Sequence, residues 1–522
     1  MSDPFPKLLL ANSDIWGGIV CLAGIALVFL IIVIAHAMES AEEPEPDLHI
    51  AGRRLVSQEK AKKQADEKRE PRDGGAAWGG VTLPSAAEEL YFLLAGSIGS
   101  GKTKNLVALL ASVVPTLTRG SDRRMLLFDP KNELYSVLHS LGPPTPVVTL
   151  NPADVRSHAM SLADILTPAA ALHLADTLLP KDKADQNAFF HTSVRNLFAG
   201  VFQYLILVAP RDFTLRDAVL ILSSEHYLRQ VVSIPHNRHL KKVFEPEITW
   251  KSIDTTIAAK LAELRILAAY WHHAKNQVNL RDWVEDQSST LVLGMDPPIE
   301  TTLQAFNRLF MKRLSELVLA GPEGTQKRTY VVIDELSALG GEFPVPGLSD
   351  LCHRGRSRGA RCAAVFQTIE DIRLIYKDHG AHALLGEFSN KLLLRTEDPA
   401  HAKWCSEVMG ETEVWEVEET HGRGGTSWRW VRVKRPLVLP SSFLTIAPAN
   451  PQNGLSGYAL SAYVDGAWEF NIPGDWVTAH LAGANPFVPA FVPRPAEHQY
   501  LPEFTDGDLA RLKLRREPKI VT

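Results

Sequence analysis

Residues 96–103 combine three glycines, a lysine and a threonine in a spacing that is suited to holding phosphate groups. The segment reads Gly-Ser-Ile-Gly-Ser-Gly-Lys-Thr and fits the pattern G-x-x-x-x-G-K-[ST] without a mismatch. In this pattern the glycines let backbone N–H groups curl around the phosphates, and the N-terminus of the next helix adds partial positive charge. The sequence therefore predicts a nucleotide-binding loop made of Gly96, Ser97, Ile98, Gly99, Ser100, Gly101, Lys102 and Thr103.

Two side chains of this phosphate-binding loop have chemistry of their own. Lys102 is expected to reach the β- and γ-phosphates of ATP, and the Thr103 hydroxyl is expected to coordinate Mg²⁺. An apolar run that is typical of a strand precedes the loop, and a helical pattern follows it. We therefore predict ATP and Mg²⁺ as the cofactors.

A second apolar run, "YVVIDE" at 330–335, ends in two carboxylates. Ligands of parallel sheets bind at the carboxyl ends of the strands, which is where Asp334 and Glu335 are expected to lie. Asp334 is expected to hold the metal, and Glu335 is expected to accept the proton of the attacking water. The alternative is an acidic pair that only caps the strand.

A third cluster, residues 353–372, reads "HRGRSRGARCAAVFQTIEDI" and places four arginines before a buried strand. Gln367 ends this strand and is a candidate for sensing the γ-phosphate. The arginines either clamp phosphate in a neighbouring subunit or solvate a loop. Four arginines exceed what solubility requires, so we expect one of them to be a clamp.

Strand and helix signals alternate from about residue 86, which indicates a parallel sheet covered on both faces. Apolar strands are predicted at about 90–95, 125–129, 146–152, 289–295 and 329–336. No glycine occurs between Gly200 and Gly294, and apolar residues recur at helical spacing from Phe190 to Leu205. The predicted fold is α/β with a mostly parallel sheet and an inserted all-α domain.

The N-terminal segment 15–35 contains 21 residues without a charge, enough for one helical crossing of a membrane. A cleaved signal peptide is the alternative, because residues 35–37 resemble a cleavage site, but the apolar run exceeds a usual signal core. We predict one retained transmembrane helix. Since nucleotide is cytosolic, the chain beyond residue 39 is expected to face the cytosol.

Composition adds few constraints. The chain has 522 residues, of which 45% are hydrophobic and 22% charged, which indicates a globular protein with a large core. The formal net charge of −5 excludes a protein that is basic overall, so any nucleic-acid surface must be local.

A hairpin is predicted after Gly410, because an acidic run at 413–419 and a basic run at 428–435 flank a glycine-containing turn. Pairing of charges across the two strands explains this pattern. Trp428 and Trp430, beside Arg432 and Lys434, are alternatively suited to stacking on single-stranded nucleic acid.

Five segments together resemble the coupling proteins of type IV secretion and conjugation, of the FtsK–HerA class of motor ATPases. They are the phosphate-binding loop, "LLFDPKNELY" at 126–135, "TLNPAD" at 149–154, "VVIDELSALG" at 331–340 and "GRSRGARCAAVFQT" at 355–368. The resemblance places Arg356 where that family has an arginine acting in trans, and it implies a RecA-like domain and a homo-hexamer. Members usually carry two transmembrane helices, whereas this sequence shows one.

The resulting prediction is an ATPase at the bacterial inner membrane, with its ATPase domain in the cytoplasm, that transfers relaxase-bound single-stranded DNA into a type IV channel. Alternatives are the same motor moving protein effectors, and a nucleotide-gated docking receptor with little hydrolysis. The predicted segments are a transmembrane anchor (1–38), a charged and glycine-bearing linker (39–80), a RecA-like ATPase domain in two parts (81–170 and 287–475), an all-α insertion (171–286) and a C-terminal tail (476–522).

Overall fold

The computed structural model describes residues 48–71, 73–178, 188–286, 289–422, 425–475 and 488–518. These residues form two compact units. The main unit comprises residues 53–410 together with 437 onward, and the hairpin unit comprises residues up to 52 together with 411–436.

Strands run through both units. In chain order they are β1 (Leu48–Gly52), β2 (Leu55–Val56), β3 (Ala76–Trp78), β4 (Val81–Leu83), β5 (Phe92–Ala95), β6 (Arg123–Asp129), β7 (Val147–Thr149), β8 (Ala159–Met160), β9 (Gln277–Val278), β10 (Thr290–Gly294), β11 (Arg328–Ile333), β12 (Ala360–Phe366), β13 (Asn390–Leu393), β14 (Glu411–Gly422), β15 (Gly425–Pro436), β16 (Leu455–Leu460) and β17 (Ala467–Ile472).

One sheet dominates the main unit. Within the described residues it has ten strands in the order β2-β17-β16-β13-β5-β12-β11-β6-β10-β7. The seven strands from β13 to β7 are parallel to one another, while β16 runs antiparallel to β13 and β17 antiparallel to β16. The prediction of a mostly parallel α/β sheet is therefore confirmed.

The central strands are apolar along their whole length because both faces of the sheet are covered. Successive side chains enter two different hydrophobic layers: Leu93 packs on one face, whereas Phe92 and Leu94 pack on the other. Val331 and Val332 divide between the layers in the same way. This double cover explains why the predicted strands lack an apolar–polar alternation.

Helices cover the sheet and fill the long segment between β8 and β10. In chain order they are α1 (Gln58–Glu67), α2 (Lys102–Val113), α3 (Leu134–Ser140), α4 (Leu162–Ile165), α5 (Pro168–Leu178), α6 (Ala188–Val208), α7 (Leu215–Leu222), α8 (Glu225–Val231), α9 (Glu247–His272), α10 (Leu280–Asp286), α11 (Glu300–Leu319), α12 (Leu336–Gly340), α13 (Leu348–Arg354), α14 (Ile369–Gly386), α15 (Pro399–Met409), α16 (Pro440–Thr445) and α17 (Asp506–Arg511). Short 3₁₀ helices occupy Ser85–Leu90, Val114–Thr116, Pro235–Phe244, Pro297–Ile299, Arg356–Arg358 and Ala496–Gln499.

In the described part of the segment predicted to be an all-α insertion, the regular elements are helices apart from the two-residue strand β9. Helix α6 buries Val194, Leu197 and Val201, as its periodicity predicts. Thr214 and Asp217 form a reciprocal capping box at the start of α7, which satisfies two backbone N–H groups there.

The predicted linker 39–80 is wrong for the part that the structure describes. Residues 58–67 form helix α1, in which Ala61 and Ala65 are fully buried. Lys68 Nζ donates to the carbonyl of Tyr463 at 3.0 Å, which ties this helix to the main unit. The sequence pattern does not reveal this packing because the buried stripe of the helix consists of alanines rather than large apolar residues.

The prediction that residues 476–522 form a C-terminal tail outside the folded domains is also wrong for residues 488–518. Leu509 and Leu512 are buried, and Arg511 Nη2 lies 2.9 Å from Asp217 Oδ1 in the helical region. Burial of these leucines and pairing of a fully buried carboxylate make this segment part of the folded core.

No helix within the described ranges combines the length and the apolar character of a membrane span. The predicted anchor at 15–35 lies outside the described residues.

The hairpin unit is a three-stranded antiparallel sheet in the order β1-β14-β15. Ion pairs join its acidic and basic strands, for example Arg432 with Glu413 at 3.1 Å and Arg435 with Glu416 at 2.7 Å. Cross-strand charge pairing, predicted from the sequence pattern, is confirmed.

Candidate active site

The phosphate-binding loop connects the carboxyl end of β5 to the first turn of α2. Gly99 and Gly101 have φ of +76° and +89°, a conformation that glycine adopts most readily. A Cβ on Gly101 would lie 2.8 Å from Leu455 Cδ2 and 3.0 Å from Ala449 Cβ. Conformation and space therefore both require glycine at this position.

Lys102 is buried, and its ammonium group donates to the carbonyls of Gly96 at 2.7 Å and Ser97 at 3.0 Å. Burial lowers the pKa of Lys102, while the negative charges of Glu335 and Asp334 oppose that shift. The lysine thus lies close to both carboxylates. Thr103 follows it in the first turn of α2 and is half-buried.

The loop is held from its other side by the residues after β13. The Ser97 N–H donates to the carbonyl of Arg395 at 2.9 Å, and the Ser97 and Thr396 hydroxyls are 3.1 Å apart. Sequence reasoning missed this support, because it depends on strand β13 lying beside β5 although about three hundred residues separate the bonded groups.

Strand register brings the phosphate-binding loop, the acidic pair and Gln367 to one edge of the sheet. Ile333 pairs with Phe128, which places Asp334 level with Asp129, and Phe366 pairs with Ala95, which places Gln367 level with Gly96. Strand β12 lies between the loop strand β5 and the carboxylate strand β11. Gln367 therefore stands between the phosphate-binding loop and the acidic pair.

Both carboxylate oxygens of Glu335 accept hydrogen bonds. Gln367 Nε2 donates to Oε2 and Ser337 Oγ donates to Oε1, each at 2.8 Å. Glu335 is 5% exposed. Two neutral donors fix the carboxylate without neutralising it, which suits a group that takes up a proton.

Asp334 is buried, and within the described residues its Oδ2 has no hydrogen-bond partner. Burial, reinforced by the charge of Asp129 and opposed by that of Lys131, raises its pKa to about 7. A buried carboxylate with a free oxygen, at the same sheet edge as the phosphate-binding loop, suits a Mg²⁺ ligand. The residues present therefore fit the metal that the loop motif implies.

Asp129 is a part of the site that sequence reasoning left without a role. It ends strand β6 beside Asp334 and accepts backbone hydrogen bonds from Glu133, Leu134 and Tyr135 at 3.2, 2.8 and 3.2 Å. It thereby caps helix α3 and adds negative charge near Asp334. The signal was present in "MLLFD", an apolar strand that ends in aspartate as "YVVID" does.

The turn after Gln367 rests on a buried histidine. The Ile369 N–H donates to His401 Nδ1 at 3.1 Å, and burial lowers the pKa of His401 to about 4. The imidazole is therefore neutral near pH 7 and can accept this bond, which fixes the backbone that carries Gln367.

The arginine loop (residues 353–361) lies at the opposite edge of the sheet, where β12 begins. Arg358 is half-buried and pairs with Glu323 at 3.0 Å, and Arg361 is buried and pairs with Glu89 at 2.9 Å. The Arg356 side chain is 59% exposed, and its Nε lies 3.5 Å from Glu89. The seven residues of β12, about 23 Å at 3.3 Å per residue, lie between Arg356 and Gln367.

These arginines line a cavity of about 660 Å³ at that edge, together with Arg328, Arg354 and two glutamates. Arg358 and Arg361 are engaged within their own chain, whereas Arg356 faces solvent on a long ion pair. Of the four arginines in the predicted clamp, the two with exposed side chains are Arg354 and Arg356.

We expect Asp334 to make the stability of the metal-free protein depend on pH. Since its pKa rises from 3.8 to about 7 on folding, the folded protein retains a proton that the unfolded chain loses. Stability therefore falls as pH rises from about 4 to about 7, by on the order of 4 kcal/mol in total. Asp334→Asn should flatten this decline, as measured by thermal denaturation in chelator across pH.

Asp350→Asn is the matched control, because that carboxylate is exposed. It should leave the pH profile as in the wild type. An equally steep decline in the Asp334→Asn protein would show that other groups cause it.

Comparison with known proteins places the site in a family. Residues 76–458 match a family model described as the type IV secretion-system coupling protein DNA-binding domain. The chain matches none of the curated proteins.

Solved structures with a similar fold include the bacterial conjugative coupling protein TrwBdeltaN70, with a TM-score of 0.65, 20% identity, and coverage of 86% of this chain and 97% of that chain. Another is plasmid coupling protein TrwB in complex with ADP and Mg²⁺, with a TM-score of 0.64, 20% identity, and coverage of 85% and 98%. A third is TrwB with the non-hydrolysable ATP analogue ADPNP, with a TM-score of 0.64, 20% identity, and coverage of 87% and 99%.

The resemblance predicted from five short segments is thus confirmed along most of the chain. Because the family match covers well over half of the 522 residues, this chain belongs to the type IV secretion-system coupling proteins.

Proposed function

We propose that this protein is a membrane-anchored ATPase that couples ATP hydrolysis to the transfer of relaxase-bound single-stranded DNA into a type IV secretion channel. The observation that carries the proposal is the convergence of the phosphate-binding loop, Asp334, Glu335 and Gln367 at one sheet edge, in a chain of the coupling-protein family. The ADP, Mg²⁺ and ADPNP named for the TrwB structures support ATP and Mg²⁺ as the cofactors.

The residues at this edge divide the chemistry among them. Backbone N–H groups of the loop and Lys102 bind the phosphates, while Thr103 and Asp334 would hold Mg²⁺. Bound Mg²⁺ supplies neutralisation of the phosphate charge. Glu335 accepts the proton of the attacking water. Gln367 orients Glu335 and senses the γ-phosphate of the bound nucleotide.

The arginine loop supports an assembly in which sites form between subunits. Arg356 precedes β12, whose seven residues span about 23 Å before Gln367, and so it cannot reach the phosphates of its own chain in this conformation. In a ring, and we propose a homo-hexamer, it would reach the site of the neighbouring subunit. An exposed arginine beside a cavity of about 660 Å³ has the access that such a role requires.

A direct test measures ATP hydrolysis by the full-length protein with and without single-stranded DNA, and DNA transfer by cells that lack the gene. We expect hydrolysis that single-stranded DNA stimulates, and loss of transfer that the gene restores. Stimulation by protein effectors instead of DNA would favour effector delivery. Nucleotide binding without hydrolysis would favour a docking receptor.

Deletion of residues 1–38 tests the proposed inner-membrane anchor. The shortened protein should be soluble and bind ATP, because the phosphate-binding loop and its supports lie beyond residue 90. It should not support transfer in cells. Recovery of the wild-type protein in the soluble fraction, with its N-terminus removed after Ala37, would contradict the anchor.

A further inference from the structure

The hairpin unit carries an unusual group of exposed aromatic side chains. Trp428 and Trp430 alternate along β15, so they lie on the same face, and Trp415 joins them from β14, where it pairs with Arg432. Their exposed fractions are 62%, 43% and 37%. Every other tryptophan that the structure describes is buried or half-buried. We call these three residues the tryptophan face.

The charges around this face are already balanced. Residues 411–436 contain five glutamates and five basic residues. Lys434 pairs with Glu411 at 2.5 Å and Arg432 with Glu413 at 3.1 Å, and the Arg432 guanidinium lies over the Trp415 ring at 5.8 Å. Binding of a nucleic-acid backbone depends on cations that are free to neutralise phosphates. The hairpin therefore lacks the charge surplus expected of such a surface.

A lipid–water interface suits three exposed indoles better. Tryptophan is enriched at membrane interfaces, where its apolar ring meets the acyl region and its N–H remains near water. No surplus of positive charge is needed there, so a balanced set of ion pairs at the rim is compatible with this location.

Chain connectivity places the hairpin unit near the membrane. The predicted span ends at Ala35, and twelve residues later the chain enters β1, where Leu48 pairs with Trp415. Twelve extended residues reach at most about 43 Å. Of the described structure, this sheet has the shortest chain path to the predicted anchor.

We propose that the tryptophan face of the hairpin unit lies in the headgroup region of the membrane and forms a second contact beside the N-terminal helix. This inference rests on the proposed anchor, because that helix delivers the hairpin to the bilayer. The occupant of the face is a lipid surface.

Fluorescence quenching tests the inference on the full-length protein reconstituted in phosphatidylcholine vesicles. The vesicles carry lipids with brominated acyl chains, which quench only nearby tryptophans. The test variant is Trp428→Phe with Trp430→Phe, since phenylalanine keeps an apolar ring without indole emission. The emission lost in this variant should be quenched several-fold more strongly by the brominated lipids than the emission lost in the matched variant Trp404→Phe, whose ring lies in the main unit.

Each result is decisive. Emission of Trp428 and Trp430 that brominated lipids leave unchanged, in protein that stays with the vesicles, overturns the inference while the proposed ATPase stands. Quenching of the same emission by single-stranded oligonucleotide in detergent, and not by lipid, assigns the face to nucleic acid instead. If the full-length protein does not insert into the vesicles, both the proposed anchor and this inference are contradicted. The single variant Trp428→Phe, at the most exposed of the three positions, repeats the test if the double variant does not fold.

Discussion

Replacement of Glu335 by glutamine is expected to leave ATP binding intact and to slow hydrolysis by about 10²–10⁴-fold, the usual contribution of a general base. The amide has nearly the same shape and can still accept one of the two hydrogen bonds from Gln367 and Ser337, so the site should keep its geometry. It cannot accept the proton of the attacking water. The hydrolysis rate at saturating ATP reports the loss of the base, and the separately determined dissociation constant of ATP reports whether binding is intact.

Lys102→Ala should produce the complementary result. Loss of a charged donor to the phosphates should weaken ATP binding by about 10- to 100-fold.

Glu342→Gln is the matched control for Glu335→Gln, because Glu342 is an exposed glutamate a few residues further along the chain. Hydrolysis at the wild-type rate by the Glu335→Gln protein would show that another group is the base.

Arg356→Ala is expected to bind ATP almost normally and to hydrolyse it on the order of 10³–10⁵-fold more slowly, as observed where an arginine acts in trans. A mixture with Lys102→Ala protein should recover part of the activity. The mixed interface pairs the intact loop of one subunit with the intact Arg356 of the next, which neither variant alone provides. The measurement is ATP hydrolysis at a fixed total protein concentration and varied ratio.

Arg354→Ala is the matched control in this experiment. That arginine is equally exposed on the same loop but pairs with Asp350 within its own helix. The Arg354→Ala protein should hydrolyse ATP at the wild-type rate without addition of Lys102→Ala protein. If mixed rings form and the mixture shows only the sum of the two parent activities, Arg356 has no role in a neighbouring site.

The edge of the sheet where the site forms could be anticipated from sequence because each part follows a continuous apolar strand. Asp334 and Gln367 are both the first residue after such a strand, and parallel strands end on one side. The partners of Glu335 could not be anticipated, because they depend on strand order: Gln367 reaches Glu335 only because β12 lies next to β11.

Two folded segments escaped prediction because local composition was misleading. Helix α1 is strongly charged, and only Ala61 and Ala65 mark its buried side. The C-terminal segment is rich in proline, yet Leu512 is buried and Arg511 pairs with Asp217 almost three hundred residues earlier. Contacts of this range leave no periodic signal in the sequence.

The two ends of strand β12 would contribute residues to two different active sites in the proposed ring. Gln367, at one end, donates to Glu335, the proposed general base of its own subunit, and the arginine loop, at the other end, would face the neighbouring subunit. Because β12 is hydrogen-bonded to β11 on one side and to β5 on the other, we expect its two ends to move together along the strand axis. In such a ring β12 would transmit the nucleotide state of one active site to the next subunit. ATP hydrolysis would then proceed from subunit to subunit in a fixed order.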